Sequence, residues 1–566
     1  MATVYAPWRD SPRPWLHLPV SWPWGFQGQV LAGPGWFWLA VALVAYSALS
    51  IGLAVGIGYH DPDSLSRTAH ADFSVFGRDP HLAAIGFVWT PLATLAQIPL
   101  LLLLRPLGYP QLAGEITSVA ATVATLWVFD AYARHRGVFA WLRRPLILLY
   151  AVHPLIVLQA IDGLAEAPFI LTISLMAICT ALWVKNRRPV LLGGTGLLCA
   201  AAFLIRYESL PAALAIGAIV AAVHVRRAWR TLWPMVADML VFGAPLAYTI
   251  ALWIFLSWQI LGEPLYFAAG PYSNRTMTEY IRSTVYESHP LYGLLHPLYL
   301  NVMGSLEYAL DRTAMLSLAF FVAIPLVAGL AAASRSAASL AMLGLWLAFP
   351  LFAAAQLFQG QSEGWLRYYL YGVPGSVFLA IEAFAVAKRD RLLDSLLGLL
   401  LLLSMAISAV VALGAVTDPK IGRMEYAILA HVAGKPYDEG AFTTFPAERE
   451  LARWVDDLPE GSTVLVDAVT GFPISLFTRH PERLIVTPNR DFEAILATPL
   501  GRADHLLIRT PGSVVSMADR ARLLIVHPEL IEGSTPWALL ERQVGNWQVF
   551  KVVGNPPPPD PDVRRG

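Results

Sequence analysis

The chain has 566 residues, 56% of them hydrophobic and 14% charged, with a mean hydropathy of +0.54; soluble domains carry about 25% charged residues, so a wholly water-soluble protein is excluded. Lysine plus arginine and aspartate plus glutamate number 40 each, which leaves none of the basic excess that nucleic-acid binding needs. The two cysteines, Cys179 and Cys199, sit in apolar runs, which argues against a disulfide framework or a cysteine metal site. Residues 1–33 are tryptophan-rich and carry Arg9 and Arg13, with no short apolar core ending in a small-residue cleavage site. They read as an amphiphilic cytoplasmic or interfacial lead-in, not a cleaved signal.

The first apolar run, 34–58, is long enough to span a bilayer. It opens into an outer loop, 59–82, whose start "YHDPDSLSRTAHADF" holds three acids, an arginine and two histidines. Asp61-Pro62 reads as a helix start, with Asp at the N-cap and Pro at the first helical position. Asp63, Arg67 and His70 then share one face, and Leu65, Ala69 and Phe76 lean to the other. Asp63 also suits the helix dipole and can pair with Arg67 on purely structural grounds. The spacing of His60, His70 and His81 matches no metal-ligand pattern.

The run 81–104 is broken by Pro91 and Pro99. Spanning there inverts every later loop, so it reads as a helix lying in or re-entering the outer leaflet, under protein cover. The alternative is a true span with a further partner span elsewhere. Ten more runs follow: 112–131, 145–161, 167–184, 190–205, 209–224, 233–258, 313–331, 338–357, 368–387 and 391–415. The basic loops "RHRGVFAWLRRP", "KNRRP", "VRRAWR" and "KRDR" mark the inside. The chain therefore makes about eleven crossings, its N-terminus is cytoplasmic, and "AIDGLAEAP", "RYES", 259–312 and "QGQSEGWLRYY" face outward. Residues 417–445 read as a polar linker. Residues 446–555 alternate an amphipathic helix, with Leu451, Trp454, Val455 and Leu458 on its apolar face, and the strands "STVLVDA", "RLIVT", "HLLIRT" and "WQVFKVV". They form a small extracytoplasmic α/β domain. The tail 556–566 is proline-rich and expected to be disordered.

The outward loops carry the chemistry. Asp162 and Glu166 stand one helical turn apart, Arg206, Tyr207 and Glu208 mark a second turn, and Arg367 with Tyr368 and Tyr369 marks a third. Ionisable groups at membrane spans are costly and mark sites or pathways. Arginine grips phosphate bidentately, and a carboxylate can serve as base for an attacking hydroxyl. Each residue also has a plain structural role open to it: Glu166 as an acid capping a span, Arg206 as a partner of Glu208, the tyrosines as an interfacial belt, and Trp89 as packing.

In this order the motifs resemble the GT-C glycosyltransferases, closest to the protein O-mannosyltransferases and aminoarabinose transferase. The similar stretches are "PDSLSRTAHADFSVFGRDPHLAAIGFVWTPLATL", with Trp89-Thr90-Pro91-Leu92 as a W-x-P-L element, "LAEAPF", "FLIRYESLP", "LGEPLYFAAGPYSN" and "WLRYYLYGVP". Two departures stand out: Asp63-Ser64 where the mannosyltransferases carry Asp-Glu, and Glu263 where Asp is commoner. The W-W-D-Y-G signature of oligosaccharyltransferases is absent, which counts against en bloc glycan transfer.

The alanine-, arginine- and proline-rich composition points to a bacterial plasma membrane, and the resemblance implies a GT-C fold and an inverting membrane glycosyltransferase. Its donor is a polyprenyl-phosphate monosaccharide entering from the outer leaflet, and its acceptor a hydroxyl on a glycan, lipid or protein. Asp63 is then the catalytic base. Arg67, His70, Asp162, Glu166, Arg206, Tyr207, Glu208, Arg367 and Tyr368 bind substrate, and Arg275 and Arg282 are further phosphate candidates. No cofactor is required, and a divalent metal is left open. The rival readings are a flippase of lipid-linked sugars and a non-catalytic membrane scaffold.

Overall fold

The computed structural model describes residues 35–225, 232–270, 273, 275, 276, 278, 279, 297–387, 391–510 and 521–557. The lead-in 1–33, Arg282, the basic loops at 226–231 and 388–390 and the tail from 558 lie outside these residues.

Helix α1 (Gly35–Ile51) continues as a π-helical turn, Gly52–Ile57, and ends at Gly58. Helix α2 (Pro62–Val75) starts as expected: Asp61 Oδ1 accepts from the N–H groups of Asp63 (2.8 Å) and Ser64 (3.3 Å), and Pro62 occupies the first turn. Helix α3 (Pro91–Leu104) holds Pro99 internally and has 14 residues. At 1.5 Å per residue it is about 21 Å long, against a hydrocarbon core of about 30 Å. It does not span as one straight helix.

The bundle continues through α4 (Ala113–His135), α5 (Ala140–Ala151), α6 (Pro154–Ile161), α7 (Glu166–Asn186), α8 (Pro189–Phe203), α9 (Ser209–Val225) and α10 (Leu232–Leu261). After the short α11 (Tyr266–Ala269) come α12 (Val302–Leu316), α13 (Leu318–Ser334), α14 (Ala337–Phe358), α15 (Gly372–Val386) and α16 (Arg391–Val416). Among the described residues, seven helices are long and apolar enough to cross a membrane. Two more spans arise if the bent pairs α5–α6 (60°) and α12–α13 (100°) each count as one. The remaining two of the eleven expected runs are α8 and α9, of 15 and 17 residues. Both fall short of the core thickness, and the polar turn between them, with Arg206, is drawn toward the bundle interior.

The segment 417–445, read as a linker, carries helix α17 (Arg423–Val432). Its Ala427 and Ile428 are buried in the main core, as is Phe442, which stacks on Tyr59 and on His431. Its polar composition misled because only one face of this short helix is apolar. Beyond it, α18 (Pro446–Asp457) is followed by strand β1 (Val464–Val466), α19 (Ala468–Phe477), β2 (Leu484–Val486), α20 (Phe492–Ala497), β3 (His505–Arg509), α21 (Arg522–Val526), β4 (Ala538–Val544) and β5 (Trp547–Val552). The sheet order is β2-β1-β3-β5-β4; the first three strands are parallel, and β5 runs antiparallel to β3 and β4. Edge strand β4 was not legible in the sequence, because five consecutive positions face solvent and no alternation shows.

The C-terminal domain is not a separate bead. Leu65, Ala69 and Phe73, on one face of α2, lie in the same apolar cluster as Leu451, Val455 and Trp547. Polar contacts close the seam. Arg78 makes a bidentate pair with Asp491 (2.8 and 2.9 Å), Asp79 pairs with Arg490, and Arg105 donates to the carbonyl oxygens of Ser475 (3.1 Å) and Leu476 (3.3 Å). Thr443 Oγ1 donates to the His60 carbonyl at 2.6 Å, directly before α2.

At the other end of the bundle, Glu382 is fully buried and accepts from Arg136 Nε and a terminal nitrogen (2.8 Å each), from Ser339 Oγ (2.5 Å) and from Tyr132 Oη. This carboxylate ties α4, α14 and α15 together. Removing one partner of a buried ion pair costs about 3–5 kcal/mol. Glu382→Ala should therefore sharply lower the thermal unfolding midpoint in detergent, and Tyr132→Phe, which deletes one of four donors, should lower it much less.

Candidate functional site

Four separate elements deliver side chains to one ion network. Asp63 comes from the first turn of α2, and Arg367 from the 3₁₀ turn Leu366–Tyr369 before α15. Their contact, from an Arg367 terminal nitrogen to Asp63 Oδ2, is 2.6 Å. Glu166 opens α7 and is completely buried; its Oε1 lies 2.7 Å from a terminal nitrogen of Arg206 and 3.8 Å from Arg367 Nε. Arg206, in the turn between α8 and α9, also holds Glu208 at 2.5 Å.

Arg67, one turn after Asp63, is 4% exposed and stacks over the Trp89 ring, its guanidinium carbon 4.2 Å from the ring centroid. Its Nε and one terminal nitrogen have no hydrogen-bond partner. Burial, with the like charge of Arg206, lowers its guanidinium to about 10. Burial alone would raise the Asp63 carboxyl, but the charge and hydrogen bond of Arg367 outweigh it, and Arg67 and Arg206 add to the pull. Asp63 is held below its ordinary value.

Two cavities flank the network. One, of about 170 Å³, lies between the α1–α2 junction, the α6–α7 turn and α17; Asp61, Asp63, Asp162, Glu363, Glu425 and Arg367 are in its wall. The other is small, about 30 Å³, and is bounded by Glu208, Phe349, Phe352, Tyr368 and Tyr371. Burial pushes the Asp61 carboxyl up to about 7, with the charge of Asp63 adding and Arg367 opposing. Burial likewise raises Asp162, Glu363 and Glu425. Among the described residues, no group of three or more His, Cys, Asp or Glu side chains is arranged to hold a metal ion.

The structure gathers Asp63, Arg67, Glu166, Arg206, Glu208 and Arg367 into one network, with Tyr368 beside it, its ring centroid 5.7 Å from the Arg367 guanidinium carbon. Tyr369 turns away, edge-on to Tyr308. Tyr207 stacks on Phe267 at 5.1 Å and walls the arginine side. Asp162 is separate. The expected helical spacing to Glu166 is broken, because the chain leaves α6 at Asp162, turns at Gly163 (φ 78°) and re-enters helix at Glu166. Asp162 faces the larger cavity and accepts from Leu164 N–H at 3.1 Å. His70 is outside the network: its Nδ1 contacts the Ser66 carbonyl at 2.8 Å and its ring lies against Gly86 and Phe73. Glu263 is exposed, and Arg275 pairs with Glu279 at the surface.

Sequence reasoning gave Asp61 only a capping role and passed over Glu363 and Glu425. Glu363 stood four residues before Arg367 in a stretch already singled out. Glu425 offered a weaker signal, a single acid in "RMEYAIL". The departure at Ser64 has a steric cause. Ser64 is 1% exposed where α2 meets α4 and the α6–α7 turn. A Cβ on Gly163 would stand 2.2 Å from Ser64 Oγ, and one on Gly114 2.7 Å. A glutamate has no room there.

The path of the chain is similar to that of ArnT from Cupriavidus metallidurans bound to undecaprenyl phosphate, with a TM-score of 0.49 and 14% identity over 92% of this chain and 98% of that one. The apo state of the same protein gives 0.48 and 14%, over 91% and 97%. The archaeal oligosaccharyltransferase AglB from Archaeoglobus fulgidus, in complex with an inhibitory peptide and a dolichol-phosphate, gives 0.40 and 11%, over 84% and 69%. No protein-family model matches the chain, and no curated protein matches it.

Two outcomes follow from this packing. Ser64→Glu should destabilise the fold by about 3 kcal/mol or more, through overpacking and a buried unpaired charge, read as a lowered melting temperature. Asp61 and Asp72 are both raised by burial from 3.8 to about 7, so the folded state binds protons more tightly than the unfolded chain. Their contribution to stability is complete below pH 3.8 and lost as the pH rises through about 7. The melting temperature should fall over that window. Asp61→Asn, which retains a good N-cap, should flatten the slope.

Proposed function

We propose that this protein is an inverting glycosyltransferase that moves a monosaccharide from a polyprenyl-phosphate donor to an acceptor hydroxyl at the outer membrane face. The observation that carries the reading is the Asp63–Arg367 contact in the wall of the larger cavity, with Arg67 and Arg206 close behind. A carboxylate with three guanidinium groups around it is the equipment for deprotonating a hydroxyl while a phosphate departs. The motif order, Asp63 through Arg367, supports the same assignment.

At rest, the base is masked. Arg367 holds Asp63 ionised and weakly basic, and Arg206 is neutralised by Glu166 and Glu208. Arg67, stacked on Trp89 with nitrogens free of hydrogen bonds, is the first guanidinium available to a lipid phosphate. As that phosphate settles, it competes with Asp63 for Arg367, and Asp63 regains basicity next to the larger cavity. Asp63 then takes the acceptor proton. The acceptor oxygen bonds to the anomeric carbon on the face opposite the phosphate, and the bond from that carbon to the phosphate oxygen breaks. The electron pair leaves on the phosphate, where Arg67, Arg206 and Arg367 balance the charge. Attack opposite the leaving group inverts the anomeric centre. Glu166 positions both Arg206 and Arg367, Glu208 and Tyr368 line the far side, and Asp162 meets hydroxyls in the larger cavity.

Orientation follows the basic loops: with Arg136, Lys185 and Arg335 inside, the network and the α/β domain are extracytoplasmic and the N-terminus is cytoplasmic. The alanine-, arginine- and proline-rich composition agrees with a bacterial plasma-membrane enzyme. The donor reaches the network from the surrounding lipid.

The test is transfer of a radiolabelled sugar from a polyprenyl-phosphate donor by the purified protein in nanodiscs. Asp63→Asn should lower transfer by about 10²–10⁴-fold with donor binding retained. Arg67→Met removes a hydrogen bond to a charged group worth about 1.5–3 kcal/mol, so donor binding should weaken roughly ten- to a hundredfold. Donor binding with no transfer by the wild type under any acceptor would assign the protein to the flippase class instead.

A further inference from the structure

The larger cavity differs in kind from the arginine side of the network. We propose that it is a subsite for one uncharged, hydroxyl-rich ring of the acceptor, and that it rejects a ring bearing phosphate or carboxylate. The word acceptor rests on the transferase reading; the binding of a neutral ring does not.

Its size is the first constraint. At about 170 Å³ it is well below the roughly 300–1,000 Å³ of pockets for drug-sized ligands, so it holds one ring and no chain of rings. Its chemistry is the second. Asp162, Glu363 and Glu425 join Asp61 and Asp63 around it, and the one cation among the described residues of the wall, Arg367, is already held by Asp63 at 2.6 Å. An anion placed here meets carboxylates without an unpaired counter-charge.

An independent observation points to a ligand. Gln159, on α6, is 3% exposed and lines the cavity, and its Oε1 has no hydrogen-bond partner. A buried amide oxygen left unpaired is expensive, and a hydroxyl donor inside the cavity satisfies it. Burial raises four of the surrounding carboxyls, Asp61 to about 7. Their oxygens accept hydrogen bonds from the hydroxyls of a sugar ring. Tyr59 and Trp365, also in the wall, supply ring surface for the C–H face of a sugar, and Trp365 Nε1 donates to Glu363. Glu425 reaches the cavity from α17, so the segment after the last span shapes which acceptor is admitted.

The experiment is saturation-transfer NMR on the full chain in nanodiscs, with methyl α-mannopyranoside, mannose 6-phosphate and glucuronic acid as probes. The neutral glycoside should receive saturation in its ring protons and the two anions at least threefold less. Gln159→Leu should cut the neutral signal at least threefold. Glu425→Arg, which places a cation in the wall, should raise the mannose 6-phosphate signal at least threefold. Arg453→Ala, on the exposed face of α18, serves as the unaffected control, and melting temperatures confirm that each variant is folded. Absence of a neutral signal in the wild type, equal signals from neutral and anionic probes, or no response to Glu425→Arg would each overturn the proposal. None of these readouts uses sugar transfer, so a failure of the transferase reading registers separately in the donor assay.

Discussion

The contact between Asp63 and Arg367 is the constraint around which the end of the bundle next to the C-terminal domain is organised. It joins the first turn of an amphipathic surface helix to a 3₁₀ turn some 300 residues later, separated by 304 positions in the chain. Both groups are charged and partly withdrawn from water, and such an arrangement persists only if each partner is held by further structure. Glu166 provides this on one side by bridging Arg367 to Arg206, and the Asp61 cap provides it on the other by fixing the direction in which α2 begins. Three carboxylates, Asp63, Glu166 and Glu208, stand against three guanidinium groups, Arg67, Arg206 and Arg367. The network is balanced as a whole, yet Arg67 leans on an aromatic ring in place of a carboxylate. That asymmetry leaves two Arg67 nitrogens without a hydrogen-bond partner.

Helix α2 can carry Asp63 because it is gripped from both sides. One face enters the apolar core of the C-terminal domain through Leu65, Ala69 and Phe73. Another presses Ser64 and Thr68 into the glycines at 114 and 163, where only a small side chain fits. Thr68 Oγ1 also reaches Gln97 of α3 at 2.7 Å. A single surface helix in a loop is marginal by itself; this one acquires its position from three neighbours. The C-terminal domain thus backs the helix that carries Asp63, although its described side chains line neither cavity. The seam of Arg78–Asp491, Asp79–Arg490 and Arg105 keeps it in register with the membrane helices.

The site was legible to the extent that chemistry announces itself locally. Asp63, Arg206 and Arg367 stood out because charged groups beside apolar runs are rare and costly. Asp61, Glu363 and Glu425 did not, because each has an ordinary local explanation, and only the cavity that they share gives them a common meaning. His70 failed in the opposite way: its helical phase is right, but its ring packs against Gly86 and Phe73 and its Nδ1 is engaged by the Ser66 carbonyl. The choice of Tyr368 over Tyr369 rested on the resemblance alone, since a 3₁₀ turn, not a regular helix, decides which ring faces Arg367.

Hydrophobic run lengths and the placement of basic residues determined, without any coordinates, that this is a polytopic helical protein with its charged turns at one end and an α/β domain after the last span. These features depend on composition over windows of twenty residues, which local physics suffices to read. Only the tertiary structure decided that α17 is core and no linker, that Ser64 must be small, and that the carboxylates divide between an arginine-rich network and a separate cavity. Such facts depend on which distant segments touch, and a side chain's partner across 100 to 300 residues leaves no periodic trace in its own neighbourhood.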